Sequence, residues 1–172
     1  MYLLLVIATF IILIFLFVDR KQLKEFYPTI QFYIICNLLY NFIFYQHTLW
    51  SYKPDLFKWL NHTNTEIIFT FLIIPLFIIV YLRFFPVGWK GIAYIVIWII
   101  SFWLIEYYYL RKGFFVYKNG WNEWWSMLFN VIMYPTLYLH YKKPLMGILV
   151  SIPIIILLLL FFHPPLSELK WT

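Results

Sequence analysis

The chain has 172 residues, of which 65% are hydrophobic, 25% aromatic and only 12% charged, and its net charge is +6. Soluble domains average about 25% charged residues, so this composition excludes an ordinary soluble domain. The 13 Lys and Arg residues occur in short clusters between apolar runs, whereas nucleic-acid binding requires an extended basic face. We therefore predict one all-α integral membrane domain over residues 1–172, with no nucleic-acid partner.

Six apolar runs are long enough to cross a hydrocarbon core about 30 Å thick as helices. They cover residues 2–18, 28–46, 65–85, 91–110, 124–141 and 145–162. Backbone polar groups cannot stay unpaired in lipid, and the alternating pattern of a membrane barrel does not occur in this sequence. The pattern predicts six transmembrane helices in one bundle.

The charges around the first run predict the orientation. No basic residue precedes this run, and Asp19-Arg20-Lys21 follow it directly. Lys and Arg accumulate in cytoplasmic loops, so we expect a multi-pass protein of the cell membrane with both termini extracytoplasmic. Seven basic residues then flank the inner helix ends and six flank the outer ends.

In the second run, Tyr33, Asn37, Asn41 and Tyr45 recur every four residues and form one polar stripe. An amide in hydrocarbon needs hydrogen-bond partners, which neighbouring helices commonly supply. Two interpretations stay open for Asn37 and Asn41: they hold helices together, or they line a polar pocket.

Glutamates lie near the outer ends of the third and fourth runs. Glu66 shares a helix face with Thr70, and Glu106 lies a turn or more inside its run. An ionisable group at such a depth is costly and usually turns toward a partner or a wet cavity. For Glu106 the alternatives are an ion pair with Arg111 or Lys112, a role in binding a ligand or a proton, and a place in the head-group layer.

The fifth run repeats the polar pattern with Glu123, Ser126 and Asn130, and Gly120-Trp121-Asn122 precede it. With the predicted orientation, the polar residues of four runs lie in the outer half of the membrane, at depths compatible with one pocket. The predicted ligand-binding residues are Asn37, Asn41, Glu66, Glu106, Trp121, Asn122 and Asn130.

Two outer loops resemble each other. Asn41 precedes Tyr52-Lys53 by 11 residues, and Glu106 precedes Tyr117-Lys118 by 11 residues. A mid-helix proline follows in each half. This pattern suggests that the second and third runs and the fourth and fifth runs are a duplicated helical hairpin in the same orientation, with chance as the alternative.

Known catalytic and metal-binding motifs do not occur. The histidines lack compact metal-ligand spacing, and there is no nucleophile elbow, phosphate-binding glycine loop or zinc-protease motif. We therefore predict no metal and no cofactor, and leave open whether the protein is an enzyme.

Five segments occur in a characteristic order between residues 10 and 143: Asp19-Arg20-Lys21, Leu49-Trp50-Ser51-Tyr52, Phe85-Pro86-Val87-Gly88-Trp89-Lys90, Glu106 and Gly120-Trp121-Asn122. This succession resembles a family of small, uncharacterised multi-spanning proteins of endospore-forming Gram-positive bacteria. The resemblance implies a location in the plasma membrane but no particular activity.

A shorter stretch, residues 49–82, is similar to the W-x-[FY]-x-P loop and glutamate-bearing helix of membrane lycopene cyclase domains. Those domains carry Pro-x-Glu-Glu where this chain has Asn64-Thr65-Glu66-Ile67. The resemblance implies a carboxylic acid, Glu66 or Glu106, that protonates an isoprenoid double bond between aromatic side chains.

The leading functional hypothesis is a polar pocket in the outer half of the membrane that binds a membrane lipid, a small amphipathic or lipophilic ligand, or a helix of a partner membrane protein. The alternatives are an intramembrane enzyme acting on an isoprenoid or lipid, and a structural subunit of a membrane complex. The oligomeric state is left open.

Overall fold

A computed structural model describes residues 11–12, 14–52 and 62–162. Within this part of the chain, six helices and two short strands follow each other. They are α1 (Arg20–Ile43), β1 (Trp50–Tyr52), α2 (His62–Ile68), α3 (Ile74–Arg83), α4 (Lys90–Arg111), β2 (Phe115–Tyr117), α5 (Glu123–Lys142) and α6 (Pro144–Phe162). The predicted helical class is thereby confirmed.

Three helical stretches are long and apolar enough to cross a membrane: Thr63–Arg83, Lys90–Arg111 and Pro144–Phe162. They coincide with the predicted third, fourth and sixth spans. The predicted fifth span is helical as α5, to within one residue at each end. The predicted second span overlaps α1, and most of the predicted first span lies outside the described residues.

Helix α1 begins eight residues before the predicted second span and ends three residues before that span's predicted end. A capping box explains the early start. The Gln22 backbone N–H donates to the Asp19 carboxylate at 2.8 Å, and the Gln22 side chain accepts from the Asp19 N–H at 3.4 Å. The first turns of α1 are therefore helical although their residues are mostly polar, and an apolar run alone did not predict them.

A π-helical segment (Phe69–Ile73) joins α2 to α3 without a break. The Ile74 N–H bonds to the Phe69 carbonyl, five residues back. Pro75 follows directly, and because its ring has no N–H and crowds the preceding turn, a widened turn suits this position. The Thr70 hydroxyl donates to the Glu66 carbonyl at 2.7 Å inside this turn.

Aromatic rings dominate the core between α1, α3, α4 and α5. Tyr81 is only 1% exposed; its hydroxyl donates to the Tyr134 carbonyl at 3.0 Å, and Tyr94 donates to the Tyr81 carbonyl at 3.1 Å. A cavity of about 40 Å³ lies here. Tyr33, Ile74, Phe77, Ile78, Tyr81, Phe102, Met133, Tyr134 and Leu137 line it.

The two strands, which come from the loops after α1 and α4, pair in antiparallel orientation. Ser51 lies opposite Val116, Trp50 opposite Tyr117, and Tyr52 opposite Phe115. The Lys118 N–H extends this pairing by donating to the Leu49 carbonyl at 2.8 Å. We call this pairing the outer ladder, because it joins the two loops that the sequence predicts to be outer. It was not predicted, because each strand has only three residues and no short turn joins them.

Candidate functional site

Glu66, on α2, is 8% exposed and is held by residues that precede it in the chain. The indole N–H of Trp50, on β1, donates to its carboxylate at 3.0 Å. The Asn41 amide, on α1, lies next to the same carboxylate. Glu66 thus joins α1, β1 and α2.

The polar stripe of α1 continues this network. The Asn37 amide donates to the Thr70 hydroxyl at 2.6 Å, and the Asn41 amide donates to the Asn37 carbonyl at 3.0 Å. Because Thr70 in turn donates to the Glu66 carbonyl, the π-helical segment connects α1 to the glutamate. The bond from Asn37 to Thr70 is also a helix-to-helix contact of the kind that holds membrane helices together.

Glu106, on α4, is partly buried and accepts hydrogen bonds from two hydroxyl groups. Tyr117, on β2, donates at 3.0 Å, and the Ser126 hydroxyl, on α5, lies within 2.6 Å of both carboxylate oxygens. Arg111 instead donates to the Tyr107 hydroxyl at 2.9 Å, and Lys112 lies over the Tyr108 ring. Glu106 therefore does not form the ion pair that was one of its three interpretations.

The outer ladder connects the two glutamates through the residues that bind them. Trp50, which binds Glu66, lies directly opposite Tyr117, which binds Glu106. Side chains at opposite positions of an antiparallel pair lie on the same face, with Cβ atoms about 4.5–5.5 Å apart. We call the group formed by Glu66, Glu106, Trp50, Tyr117 and Ser126 the carboxylate layer.

Tyr52, on β1, is influenced by both carboxylates. It lies two residues after Trp50, so its side chain is on the same face of β1. Burial raises the pKa of the Tyr52 phenol, and the negative charges of Glu66 and Glu106 raise it further. Both carboxylates therefore lie close enough to Tyr52 to act on the same hydroxyl group.

The partners of the two glutamates are neutral. Trp50, Asn41, Tyr117 and Ser126 supply N–H or O–H groups, and within the described ranges no Lys or Arg pairs with either carboxylate. Burial, then the charge of Glu106 and the hydrogen bond to it, raise the pKa of Tyr117, so its phenol remains a donor at neutral pH. The carboxylate layer is hydrogen-bonded, but no described charge balances it.

The other predicted site residues have different surroundings. Trp121 is 7% exposed and packs near Trp50 and Phe162, with ring centroids 5.8 and 5.1 Å away. Asn122 is the N-cap of α5 and accepts from the backbone N–H groups of residues 124 and 125 at 3.0 and 3.1 Å. Its side chain thus has a structural role that accounts for its position.

Asn130 lies on the buried stripe of α5, one helical turn after Ser126. It is 6% exposed. It therefore belongs to the same polar stripe of α5 as Ser126.

Sequence reasoning did not include Trp50, Tyr117 and Ser126 in the site. Two signals for them were present. Ser126 belongs to the polar stripe of the fifth predicted span, and the repeated 11-residue spacing connects Tyr117 with Glu106. Trp50 belongs to the Leu49-Trp50-Ser51-Tyr52 segment that carries the family resemblance, but its contact with Glu66 depends on how the loop folds back over α2, which that segment does not predict.

Comparisons with protein-family models, with curated proteins and with solved structures gave no match for this chain.

Proposed function

We propose that this chain is a multi-pass protein of the cell membrane, with six transmembrane helices and both termini extracytoplasmic, whose carboxylate layer binds the head group of an amphipathic ligand such as a membrane lipid. One observation carries this proposal. Two carboxylates are bound by Trp50 and Tyr117, which face each other in the outer ladder, and no described Lys or Arg pairs with them. Uncompensated charge at membrane depth is costly and usually marks a functional site.

In this proposal, the ligand's apolar chain lies in the surrounding lipid and not in an enclosed pocket. The described apolar cavity measures about 40 Å³, whereas sites that enclose a small molecule measure about 300–1,000 Å³. Apolar side chains on α4 and α6 point outward; Ile92 is 71% exposed and Leu160 68% exposed. A chain lying along such helix surfaces needs no cavity.

The same geometry favours binding over intramembrane catalysis. Protonation of an isoprenoid double bond requires a carboxylic acid that reaches into an apolar cavity. Neither Glu66 nor Glu106 lines the apolar cavity between α1, α3, α4 and α5. The enzyme alternative therefore has less support than the binding protein.

The outer ladder also supports the duplicated hairpin, which we propose as the internal organisation of the bundle. A two-fold rotation that exchanges the strands places Tyr52 on Tyr117, the positions matched by the 11-residue spacing. Each unit also contains a hydrogen-bonded carboxylate between its two helices, Glu66 beside Asn41 and Glu106 beside Ser126. Two repeats that cross the membrane in the same orientation are related by such a two-fold axis, which runs along the membrane normal.

Native mass spectrometry of the protein, purified gently from its own membrane, tests the binding function. We expect a defined lipid or amphiphile on the wild-type protein and its loss from Glu106→Gln, because the variant replaces one of the layer's two carboxyl groups by an amide. Glu25→Gln, an exposed position near the start of α1, is the matched control and should keep the ligand. A bare wild-type protein, or bulk phospholipid retained equally by all three proteins, would favour a structural subunit instead.

A further inference from the structure

A groove lies at the other end of α1 from the outer ladder, where the stretch before this helix meets the end of α3. Its volume is about 370 Å³, a size typical of sites that bind small molecules. Residues 15–19 and Gln22, in the first turn of α1, form one wall, and Arg83, the last residue of α3, forms the other. The groove shares no residue with the carboxylate layer.

Arg83 is fixed in this groove by a bond that uses one of its three nitrogen atoms. Its Nε donates to the Phe17 carbonyl at 2.6 Å, and its guanidinium carbon lies 5.9 Å from the centroid of the Phe84 ring. Among the described residues, no carboxylate pairs with the guanidinium and no acceptor binds its two Nη groups. Such a guanidinium fork matches two oxygens of an anion, and phosphate is one of its usual partners.

Gln22 and Asp19 line the same groove and belong to the capping box of α1. The Asp19 carboxylate accepts from the Gln22 N–H at 2.8 Å, and the Gln22 side-chain oxygen accepts from the Asp19 N–H at 3.4 Å. The side-chain NH₂ of Gln22 takes no part in the box and is a second donor at the groove. The bond of Asp19 to the first turn places its negative charge against the positive end of the helix.

The end of the bundle around the groove is strongly basic. The Phe85 ring stacks on Tyr138 at 3.6 Å, and Phe26 meets Tyr141 at 5.5 Å, so the start of α1 and the ends of α3 and α5 lie together. The described basic residues at this end are Arg20, Lys21, Lys24, Arg83, Lys90, Lys142 and Lys143, and the acidic ones are Asp19 and Glu25. Basic clusters beside membrane helices attract anionic lipids.

Apolar side chains of the groove point to a lipid as the source of the anion. Phe15 is 87% exposed and Leu16 65% exposed, and both belong to the apolar run that ends at Asp19. A small hydrophilic anion would leave these side chains in contact with solvent or bulk lipid. The acyl chain of a bound amphiphile would cover them while its head group reaches Arg83.

From these observations we infer that the groove between residues 15–19 and Arg83 binds the phosphate group of an anionic membrane lipid. The Arg83 fork and the Gln22 amide donate to the phosphate oxygens, and an acyl chain lies along Phe15 and Leu16. The site is independent of the carboxylate layer, and its occupancy does not require a ligand there.

Native mass spectrometry of the delipidated full-length protein in detergent tests this site. The probes are dioleoylphosphatidylglycerol and dioleoylglycerol, which have the same acyl chains and differ in the phosphate-bearing head group. We expect phosphatidylglycerol to bind the wild type saturably, and roughly tenfold more tightly than dioleoylglycerol does. Arg83→Gln should weaken phosphatidylglycerol binding by roughly tenfold. Lys143→Gln, the matched control, removes an exposed charge at the same end and should change the affinity by less than about threefold.

Equal affinities for the two probes would overturn the phosphate assignment. Equal weakening in Arg83→Gln and Lys143→Gln would assign the attraction to the basic end as a whole and not to the groove. If sodium phosphate displaces phosphatidylglycerol and sodium chloride of the same ionic strength does not, the groove holds free phosphate and the lipid assignment is wrong.

Circular dichroism checks that each variant is folded. If Arg83→Gln does not fold, Gln22→Ala replaces it, because this change keeps the backbone N–H that donates to Asp19. It removes the amide donor from the groove and should also weaken phosphatidylglycerol binding. Unchanged affinity in Gln22→Ala would then contradict the site.

Discussion

At the scale of single residues, Glu106 shows how a partly buried carboxylate is held by neutral donors from the described part of the chain. Its two donors come from different elements, Tyr117 from β2 and Ser126 from α5. The polar stripe of α5 was visible in the sequence. The contact of this stripe with Glu106 was not visible, because a polar stripe shows which face of a helix is polar but not which neighbouring helix that face contacts.

Ser126→Ala removes one of these donors and leaves the Glu106 carboxylate with Tyr117 alone. An acceptor that loses its partner inside a protein costs about 1–3 kcal/mol, so we expect a lower midpoint of thermal unfolding in detergent. Ser151→Ala is the matched control, because Ser151 is also buried but donates only to the Ile148 carbonyl of its own helix. Equal shifts in the two variants would mean that the contact with Glu106 does not stabilise the fold.

At the scale of elements, α5 and α6 form a hairpin in which Gly147 lies very close to His140 of the preceding helix. A Cβ atom placed on Gly147 would lie 2.5 Å from the His140 Cβ and 2.6 Å from its Cα. His140 itself cannot move easily. Its Nδ1 is 3.0 Å from the Thr29 hydroxyl, and its ring stacks on Phe32 at 4.2 Å.

Gly147→Ala should therefore force α5 and α6 apart and lower the thermal unfolding midpoint. Gly91→Ala is the comparison, because its Cβ would meet the edge of the Phe85 ring at 2.9 Å rather than a backbone atom. A ring at the end of a side chain can shift, so we expect the smaller loss in Gly91→Ala. The opposite ranking, measured in the same detergent, would contradict this description of the hairpin.

The elements also show which parts of the fold the sequence could predict. Continuous apolar runs predicted α4, α5 and α6 to within one residue at each end, because hydropathy is the signal that such helices depend on. The start of α1 depends on a capping box instead, and the π-helical segment depends on the crowding by Pro75. The outer ladder pairs residues 50–52 with residues 115–117, and such a distant pairing leaves no periodic signal in either segment.

At the scale of the whole molecule, basic residues lie at both ends of α5. Lys118 is exposed beside the outer ladder, and Lys143 is exposed where α5 meets α6. A 20-residue helix is about 30 Å long, so a spanning α5 would separate these two positions by the thickness of the hydrocarbon core. The proposed orientation places Lys118 outside the cell and Lys143 inside it.

Cysteine labelling tests this orientation. Cys36 is the only cysteine in the sequence, so a Cys36→Ser background accepts single cysteines at chosen positions. In intact cells, a membrane-impermeant maleimide should label Lys118→Cys and should label Lys143→Cys only after permeabilisation. The reverse pattern would invert the orientation, and labelling of both positions in intact cells would show that α5 does not span the membrane.

The outer ladder has a consequence for the order of events during synthesis. Glu66 meets Trp50 within 16 residues of chain, and Glu106 meets Tyr117 and Ser126 within 11 and 20 residues. Each glutamate can thus find its donors as soon as its own hairpin leaves the ribosome, whereas the two strands join only after residue 117 has been made. The donors of each carboxylate thus lie in its own half of the chain, and the pairing of the two strands is a late step of assembly.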